Sequence, residues 1–127
     1  MKARPMFADR PKEMKSRPML YGVELGSPLE ADRFMILMSQ QQDGAISGLV
    51  AQVALELAAP YTDASGKKWT AVRYTPDFAY MENGVQVSEE VKPANEKAPS
   101  AARRDWSVRM AWAARQYPEA VFRVWKG

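Results

Sequence analysis

Two carboxylates and a lysine stand at a spacing that could hold a divalent cation. Asn83-Gly84 is a strong signal for a two-residue hairpin turn. Pairing across that turn places Asp77 opposite Glu90, and Lys92 points to the same face as Glu90. Like charges placed that way destabilise a hairpin unless something neutralises them. Carboxylate oxygens suit Mg²⁺, which keeps waters for a phosphate substrate, and a nearby lysine can orient the attacking water.

The same register divides the hairpin into two faces. The polar face is predicted to carry Thr75, Asp77, Ser88, Glu90 and Lys92. The apolar face is predicted to carry Pro76, Phe78, Tyr80, Val85, Val87, Glu89 and Val91. A turn with one residue more or fewer would reverse this assignment. The alternative to a metal site is a surface ion pair of Lys92 with Glu90 or Asp77.

Composition removes the commoner catalytic groups. The 127 residues include no cysteine and no histidine, which excludes disulfides, thiolate or histidine metal sites and a Ser-His-Asp triad. Any catalysis would use carboxylates, lysine, hydroxyl groups or a bound hard cation. The length matches one domain. Neither a membrane-spanning run nor a signal peptide is visible, so we expect a cytoplasmic protein.

The net charge of +3 is unevenly distributed. Residues 1–17 carry a net +4, residues 18–96 a net −6 and residues 97–127 a net +5. Basic ends suit a polyanion such as nucleic acid, and metal binding would account for the acidic middle, although solvated surface charge explains the pattern equally well. Residues 1–19, with three prolines and no periodicity, predict a flexible basic arm before a domain at 20–127.

Six elements are predicted to position the candidate residues. Ser27-Pro28-Leu29-Glu30 has the form of a capping box and begins a helix that ends at Asp43-Gly44. Strands are predicted at 49–59, 68–81 and 85–92, a second helix at 100–116 and a last strand at 120–125. The order αβββαβ predicts an α/β fold with a mixed central sheet flanked by helices.

These motifs resemble the PD-(D/E)xK, or restriction-endonuclease-like, nuclease superfamily, whose core is αβββαβ. Tyr74-Thr75-Pro76-Asp77-Phe78, then Glu90-Val91-Lys92-Pro93, and the upstream Ser27-Pro28-Leu29-Glu30 carry the resemblance. Within the superfamily the chain is most similar to small phage-encoded endonucleases and to the catalytic domain of TnsA-type transposon end-cleaving endonucleases. The resemblance covers about residues 20–127.

The resemblance implies a role for each residue of these motifs. Asp77 would be the central metal ligand and Glu90 the second, assisted by the Val91 carbonyl. Glu30 would be a further ligand, direct or through water, although its place in the capping box already accounts for it. Lys92 would orient the attacking water.

Further assignments concern residues around this set. Gln52 matches a glutamine that recurs on the first strand of these families and would support the site, or act as an ordinary hydrogen-bonding residue. Arg109 would contact a phosphate or lie on a solvated helix face. Contacts with the DNA backbone are also expected from Lys12, Lys15, Arg17, Arg103 and Arg104. Trp106 and Trp112 are predicted to be core residues rather than base-stacking platforms.

The resemblance implies a Mg²⁺-dependent DNA endonuclease, with Mn²⁺ expected to substitute. Such an enzyme would act on branched or recombining DNA, as a Holliday-junction resolvase does, in the host cytoplasm if phage-encoded. A homodimer would suit the two symmetric cuts that a four-way junction needs. Two alternatives are a TnsA-type subunit, whose usual partner-binding domain is missing here, and a non-catalytic nucleic-acid-binding module, which would not require the complete Asp/Glu/Lys set.

Overall fold

Two helices pack against opposite faces of a four-stranded mixed sheet. The computed structural model describes residues 19–20, 23–95 and 101–127. The helices are α1 (Pro28–Gln42) and α2 (Ala101–Gln116). The strands are β1 (Met19–Leu20), β2 (Val23–Glu24), β3 (Ser47–Ala51), β4 (Leu55–Ala58), β5 (Tyr61–Thr62), β6 (Lys68–Trp69), β7 (Val72–Tyr74), β8 (Phe78–Glu82), β9 (Val85–Lys92) and β10 (Val121–Lys126).

The central sheet has the strand order β10-β9-β8-β3. Strand β10 runs parallel to β9, whereas β8 is antiparallel to both β9 and β3. This arrangement confirms the predicted α/β fold with a mixed sheet between helices. Strand β1 begins at Met19, inside the range predicted for the arm, and residues 1–18 lie outside the described residues.

The hairpin register is confirmed. Asn83 and Gly84 have φ values of 52° and 76°, the left-handed conformations that a tight type I′ turn requires. Phe78 pairs with Glu89, and Tyr80 pairs with Val87, which is the pairing predicted from the turn. Next to the turn, Val85 is 38% exposed, so its place on the apolar side does not bury it.

Helix α1 begins and ends where its capping residues predict. The Ser27 hydroxyl accepts the Glu30 N–H at 3.2 Å, and Pro28 occupies the first turn. Asp43 ends the helix, and Gly44 follows with φ +83°. Because these signals involve only neighbours in the chain, the prediction needed no tertiary information.

Two predicted strands are wrong in extent. The strand predicted at 49–59 is divided into β3 and β4, and the one at 68–81 into β6, β7 and β8. At Gln52 the backbone takes φ 57°, which turns the chain out of the central sheet. Strand β4 therefore pairs with β7, and β5 with β6. Residues 55–74 thus form a two-stranded excursion between β3 and β8, which we call the inserted ribbon.

The two sheet faces have separate apolar clusters. Between α1 and the sheet, Phe34 stacks on Phe78 with ring centroids 5.9 Å apart, and Val87 and Val91 are buried beside them. On the other face a smaller cluster joins the inserted ribbon, α2 and β10; it contains Leu55, Leu57, Tyr74, Ala113 and Phe122. This second cluster covers the polar face of the hairpin. As a result Ser88 and Glu90 are only 1% and 6% exposed.

Two further expectations concern the helices, namely that neither crosses a membrane and that the tryptophans of α2 are core residues. No helix in the described part of the chain has the length and apolar character needed to cross a membrane. On α2, Trp106 is half-buried, but Trp112 is 36% exposed. The prediction that Trp112 is a core residue is therefore wrong, because the small second cluster reaches the helix through Met110 and Ala113 instead.

Candidate functional site

The predicted site residues come together where four parts of the chain meet: the beginning of α1, the end of β3, the start of β8 and the end of β9. Gln52 Nε2 donates to Glu30 Oε1 at 3.3 Å, and the Gln52 N–H donates to the Asp77 carbonyl at 3.0 Å. Lys92 Nζ lies 3.6 Å from Glu90 Oε2. Three segments of the chain thus supply a cluster of three carboxylates and one lysine, and a fourth segment supplies Gln52.

Asp77 lies at the centre of the cluster. It immediately precedes β8, and its Oδ2 accepts the Val91 N–H at 2.7 Å across the hairpin. Burial, followed by the charges of Glu90 and Glu30, raises the pKa of Asp77 to about 8, although the Val91 bond acts in the opposite direction. The surroundings of Asp77 thus favour its protonated form when no cation is bound.

Glu90 is held by a residue that sequence reasoning did not assign to the site. The Tyr74 hydroxyl donates to Glu90 Oε1 at 2.6 Å, while Lys92 approaches the other carboxylate oxygen. Burial raises the pKa of Glu90, although the bonds from Tyr74 and Lys92 oppose that shift. Tyr74 arrives from β7 of the inserted ribbon, and no short-range pattern links it to Glu90.

Glu30 is oriented by the chain just before α1 as well as by Gln52. Its carboxylate accepts the Gly26 N–H at 3.3 Å and the Ser27 hydroxyl at 3.3 Å. A side chain at Gly26 would force that carboxylate to shift, because an added Cβ would lie too close to Glu30 Oε2. The capping arrangement and the site are therefore compatible roles for Glu30.

Lys92 lies between the carboxylates and α2. Its side chain is 21% exposed, and Nζ stands 4.8 Å from the centre of the Trp106 ring. The Trp106 Nε1 atom is buried and has no hydrogen-bond partner among the described residues. The aromatic face and Glu90 together hold the ammonium group beside the cluster.

The donor set fits a hard divalent cation in its chemistry. Carboxylate oxygens are the ligands that Mg²⁺ selects, and a cation beside Asp77 would stabilise the charged form that burial and the neighbouring carboxylates disfavour. Each carboxylate instead accepts hydrogen bonds from the protein here. Among the described residues no group of three or more acidic side chains is arranged as a ready metal-binding set. Val91 contributes its N–H to Asp77, and the ligand role of its carbonyl stays a prediction.

Glu89 points away from the cluster, as the register predicts. It is fully buried on the α1 side of the sheet, where Arg33 binds it through Nε at 2.6 Å and Nη2 at 2.8 Å. The Tyr80 hydroxyl donates to the same carboxylate at 2.7 Å. Sequence reasoning missed Arg33 as the partner, although a glutamate on an apolar face is itself a signal that a buried cation is needed.

The predicted DNA-contacting residues are only partly described. Arg109 donates to the Asp105 carboxylate at 3.2 Å and to the Arg73 carbonyl at 2.7 Å, which joins α2 to the inserted ribbon. Its contact with a phosphate stays a prediction. The side chains of the remaining candidates lie outside the described residues: Lys12, Lys15, Arg17, Arg103 and Arg104.

Comparison with known proteins found no relative of this chain. No family model matches the sequence, and neither a curated protein nor a solved structure matches the chain. The site must therefore be interpreted from its own geometry.

Proposed function

We propose that this protein is a metal-dependent DNA endonuclease of the PD-(D/E)xK type. The observation that carries the proposal is the convergence of Glu30, Asp77, Glu90 and Lys92, from three separate elements, on one partly buried cluster. A purely structural ion pair would need one carboxylate for the lysine. Three carboxylates in one cluster with a single lysine cost stability, and binding of a cation and a phosphate substrate would account for that cost.

The topology supports the same proposal. With the inserted ribbon and the short β1–β2 pair set aside, the chain order is α1, β3, β8, β9, α2, β10, which is the αβββαβ order of that superfamily. The last strand joins the sheet parallel to β9, after the second helix has crossed one face. This connection places the start of β8 and the end of β9 beside the beginning of α1.

Each side chain has a separate task in the proposed reaction. Asp77, Glu90 and Glu30, with the Val91 carbonyl, would hold Mg²⁺, and the ion would supply charge neutralisation and a more acidic water. Lys92 would hold the attacking water and offset charge that develops on the phosphate. Tyr74 would keep Glu90 oriented through its 2.6 Å hydrogen bond, and Gln52 would do the same for Glu30.

The charge at the two ends of the chain bears on the kind of substrate. Basic segments at both ends of the chain favour a polyanion over a small phosphate ester. Branched or recombining DNA, cut by a homodimer, is the version that the family resemblance favours.

The test is cleavage of a panel of DNA structures by the purified full chain. Plasmid, four-way-junction and single-stranded DNA are incubated with Mg²⁺, with Mn²⁺ or with EDTA, and the products are separated on gels. Cleavage that requires the metal and disappears in Lys92→Ala would support the proposal. Lys126→Ala is the matched control, because it removes the same charge from the neighbouring strand and is exposed. Folded protein that cuts none of these DNAs with either metal would refute the proposal.

A further inference from the structure

The inserted ribbon ends in a solvent-exposed tip that the proposed catalytic chemistry does not require. Within residues 59–70, which we call the ribbon tip, every residue except Asp63 is exposed. Tyr61 and Trp69 are 64% and 50% exposed, although they are among the largest side chains in the protein. They are also direct cross-strand partners in the β5–β6 ladder, so both rings lie on one face.

The tip is organised rather than loose. Asp63 Oδ1 accepts the Ser65 N–H at 2.8 Å and the Lys67 N–H at 3.1 Å, and its Oδ2 accepts Trp69 Nε1 at 2.9 Å. Hydrogen bonds from the Ser65 hydroxyl and from Trp69 lower the pKa of Asp63 to about 2. The Asp63 carboxylate is therefore occupied by hydrogen bonds within its own turn, and one of these bonds orients the Trp69 ring.

Positive charge is concentrated at the same place. Residues 18–96 contain only five basic side chains. Lys67, Lys68 and Arg73 are exposed on the inserted ribbon, whereas Arg33 is buried against Glu89 and Lys92 lies in the candidate site. Lys67 Nζ stands 4.0 Å from the centre of the Trp69 ring. Lys67 thus contacts one ring of the exposed aromatic pair, Lys68 is adjacent to that tryptophan in the chain, and Arg73 follows on β7 of the same ribbon.

We propose that the ribbon tip binds unpaired nucleotides, with bases stacked on its aromatic pair and phosphates held by its lysines. Aromatic rings beside basic residues are the combination that binds single-stranded nucleic acid, since every base offers a ring face for stacking. In a duplex those faces are covered by neighbouring base pairs. A protein-binding surface would not need cations placed directly on the ring.

The tip lies close enough to the candidate site for one DNA molecule to contact both. The ribbon leaves the site after Gln52 and returns at Tyr74. From Leu55 to Tyr61 a strand extends at most about 20 Å, the length of about six base pairs. A substrate with unpaired nucleotides near the cut would use both surfaces; this reach rests on the proposed function, whereas nucleotide binding by the tip does not.

Binding without cleavage tests the proposal independently of the catalytic site. In EDTA, fluorescence anisotropy follows a labelled oligothymidylate of about 12 nucleotides, a common site length for such surfaces. An abasic oligomer of the same length and a duplex serve as comparisons. We expect the oligothymidylate to bind more tightly than the abasic strand, because only the former has bases to stack.

Substitutions then separate stacking from charge. We expect Trp69→Ala to weaken oligothymidylate binding by about 5- to 150-fold without changing the salt slope, and Trp69→Phe to retain most of the affinity. The double variant Lys67→Ala, Lys68→Ala should make the slope shallower by about 1.4, because two phosphates are no longer neutralised. Trp112→Ala, which removes an exposed tryptophan from α2, is the control and should bind as wild type does.

Two results would overturn the proposal. One is a folded Trp69→Ala protein that binds oligothymidylate as tightly as wild type, which is also the outcome expected if the tip docks a protein. The other is equal affinity for the oligothymidylate and the abasic strand. Absence of cleavage would refute the endonuclease alone, since none of these measurements requires a metal.

Discussion

At the scale of single residues, the candidate site keeps its acids close together at a cost to stability. Asp77 is surrounded by two further carboxylates, and its nearest donor is the uncharged Val91 N–H. Lys92 lies beside Glu90 alone among the three acids in the described contacts. The function proposed for the site thus works against its stability, as strained or like-charged active sites do in general.

We predict that Asp77→Asn abolishes metal-dependent cleavage while leaving the melting temperature in EDTA unchanged or several degrees higher. The amide cannot acquire the negative charge that burial and the neighbouring carboxylates disfavour, and its oxygen can still accept the Val91 N–H. Asp43→Asn, at the exposed end of α1, is the matched control and should cleave normally. A large fall in melting temperature for Asp77→Asn would show that this carboxylate is structural.

The same carboxylate predicts a pH dependence. The pKa of Asp77 is about 8 in the folded chain and 3.8 ordinarily, so between these values the folded state binds more protons than the unfolded state. The free energy of unfolding should therefore fall as the pH rises from about 4 to about 8. Urea titrations in EDTA should show this fall in wild type and a smaller one in Asp77→Asn; equal falls would contradict the shift.

Gln52 combines a strained backbone with a site contact, and two substitutions separate these roles. Both Gln52→Ala and Gln52→Gly remove the bond to Glu30, but only glycine adopts φ 57° without strain. We predict that both variants lose cleavage to the same extent and that the glycine variant is more stable by about 1 kcal/mol. Equal unfolding free energies from urea titration would show that the conformation at Gln52 is not strained.

At the scale of elements, α1 is attached to the sheet by more than apolar packing. Arg33 forms two hydrogen bonds with Glu89 inside the α1–sheet interface and lies 4.7 Å from the centre of the Trp125 ring. Burial lowers the pKa of Arg33, but the bonds and charge of Glu89 outweigh it and raise the pKa overall. Because Glu30 and Arg33 share α1, this pair also fixes the helix that carries Glu30 to the site.

We predict that Glu89→Gln costs about 3 kcal/mol, because it leaves a buried guanidinium without its counter-charge. Glu82→Gln provides the contrast: Glu82 pairs with Arg123 at 2.6 Å, but both side chains are more than a third exposed, so the loss should stay within about 1 kcal/mol. Chemical denaturation measures both values. Equal losses of unfolding free energy in the two variants would mean that burial does not make the Arg33–Glu89 pair more stabilising than the exposed pair.

At the scale of the whole molecule, the distribution of charge along the sequence suits a long polyanion. Both terminal segments are basic, and within the acidic middle the exposed cations Lys67, Lys68 and Arg73 lie on the inserted ribbon. For the proposed endonuclease, such a distribution would attract DNA to more than one surface of the protein.

We predict that deleting residues 1–17 preserves the fold and weakens DNA binding. The deletion removes six basic side chains, and the salt slope should become shallower by about 0.9 for each phosphate that the protein no longer neutralises. Cleavage at saturating DNA should change little, because the four proposed catalytic residues lie outside the deleted segment. An unchanged slope would show that the arm does not touch DNA, and loss of folding would place it within the domain.

The sequence by itself determined the features that depend on near neighbours in the chain. The Asn83-Gly84 turn sets the register that puts Asp77 and Glu90 on one face and Glu89 on the other, and the Ser27 cap sets the start of α1. Only backbone geometry and bonds over a few residues are needed for these features.

The tertiary structure alone decided which distant groups complete them. Gln52 breaks a stretch that has strand composition, because its N–H and side chain are bound by Asp77 and Glu30. Tyr74 reaches Glu90 only because the inserted ribbon folds back over the polar face of the hairpin. Local patterns do not identify such partners, since they form where separate elements pack and bury the same polar atoms.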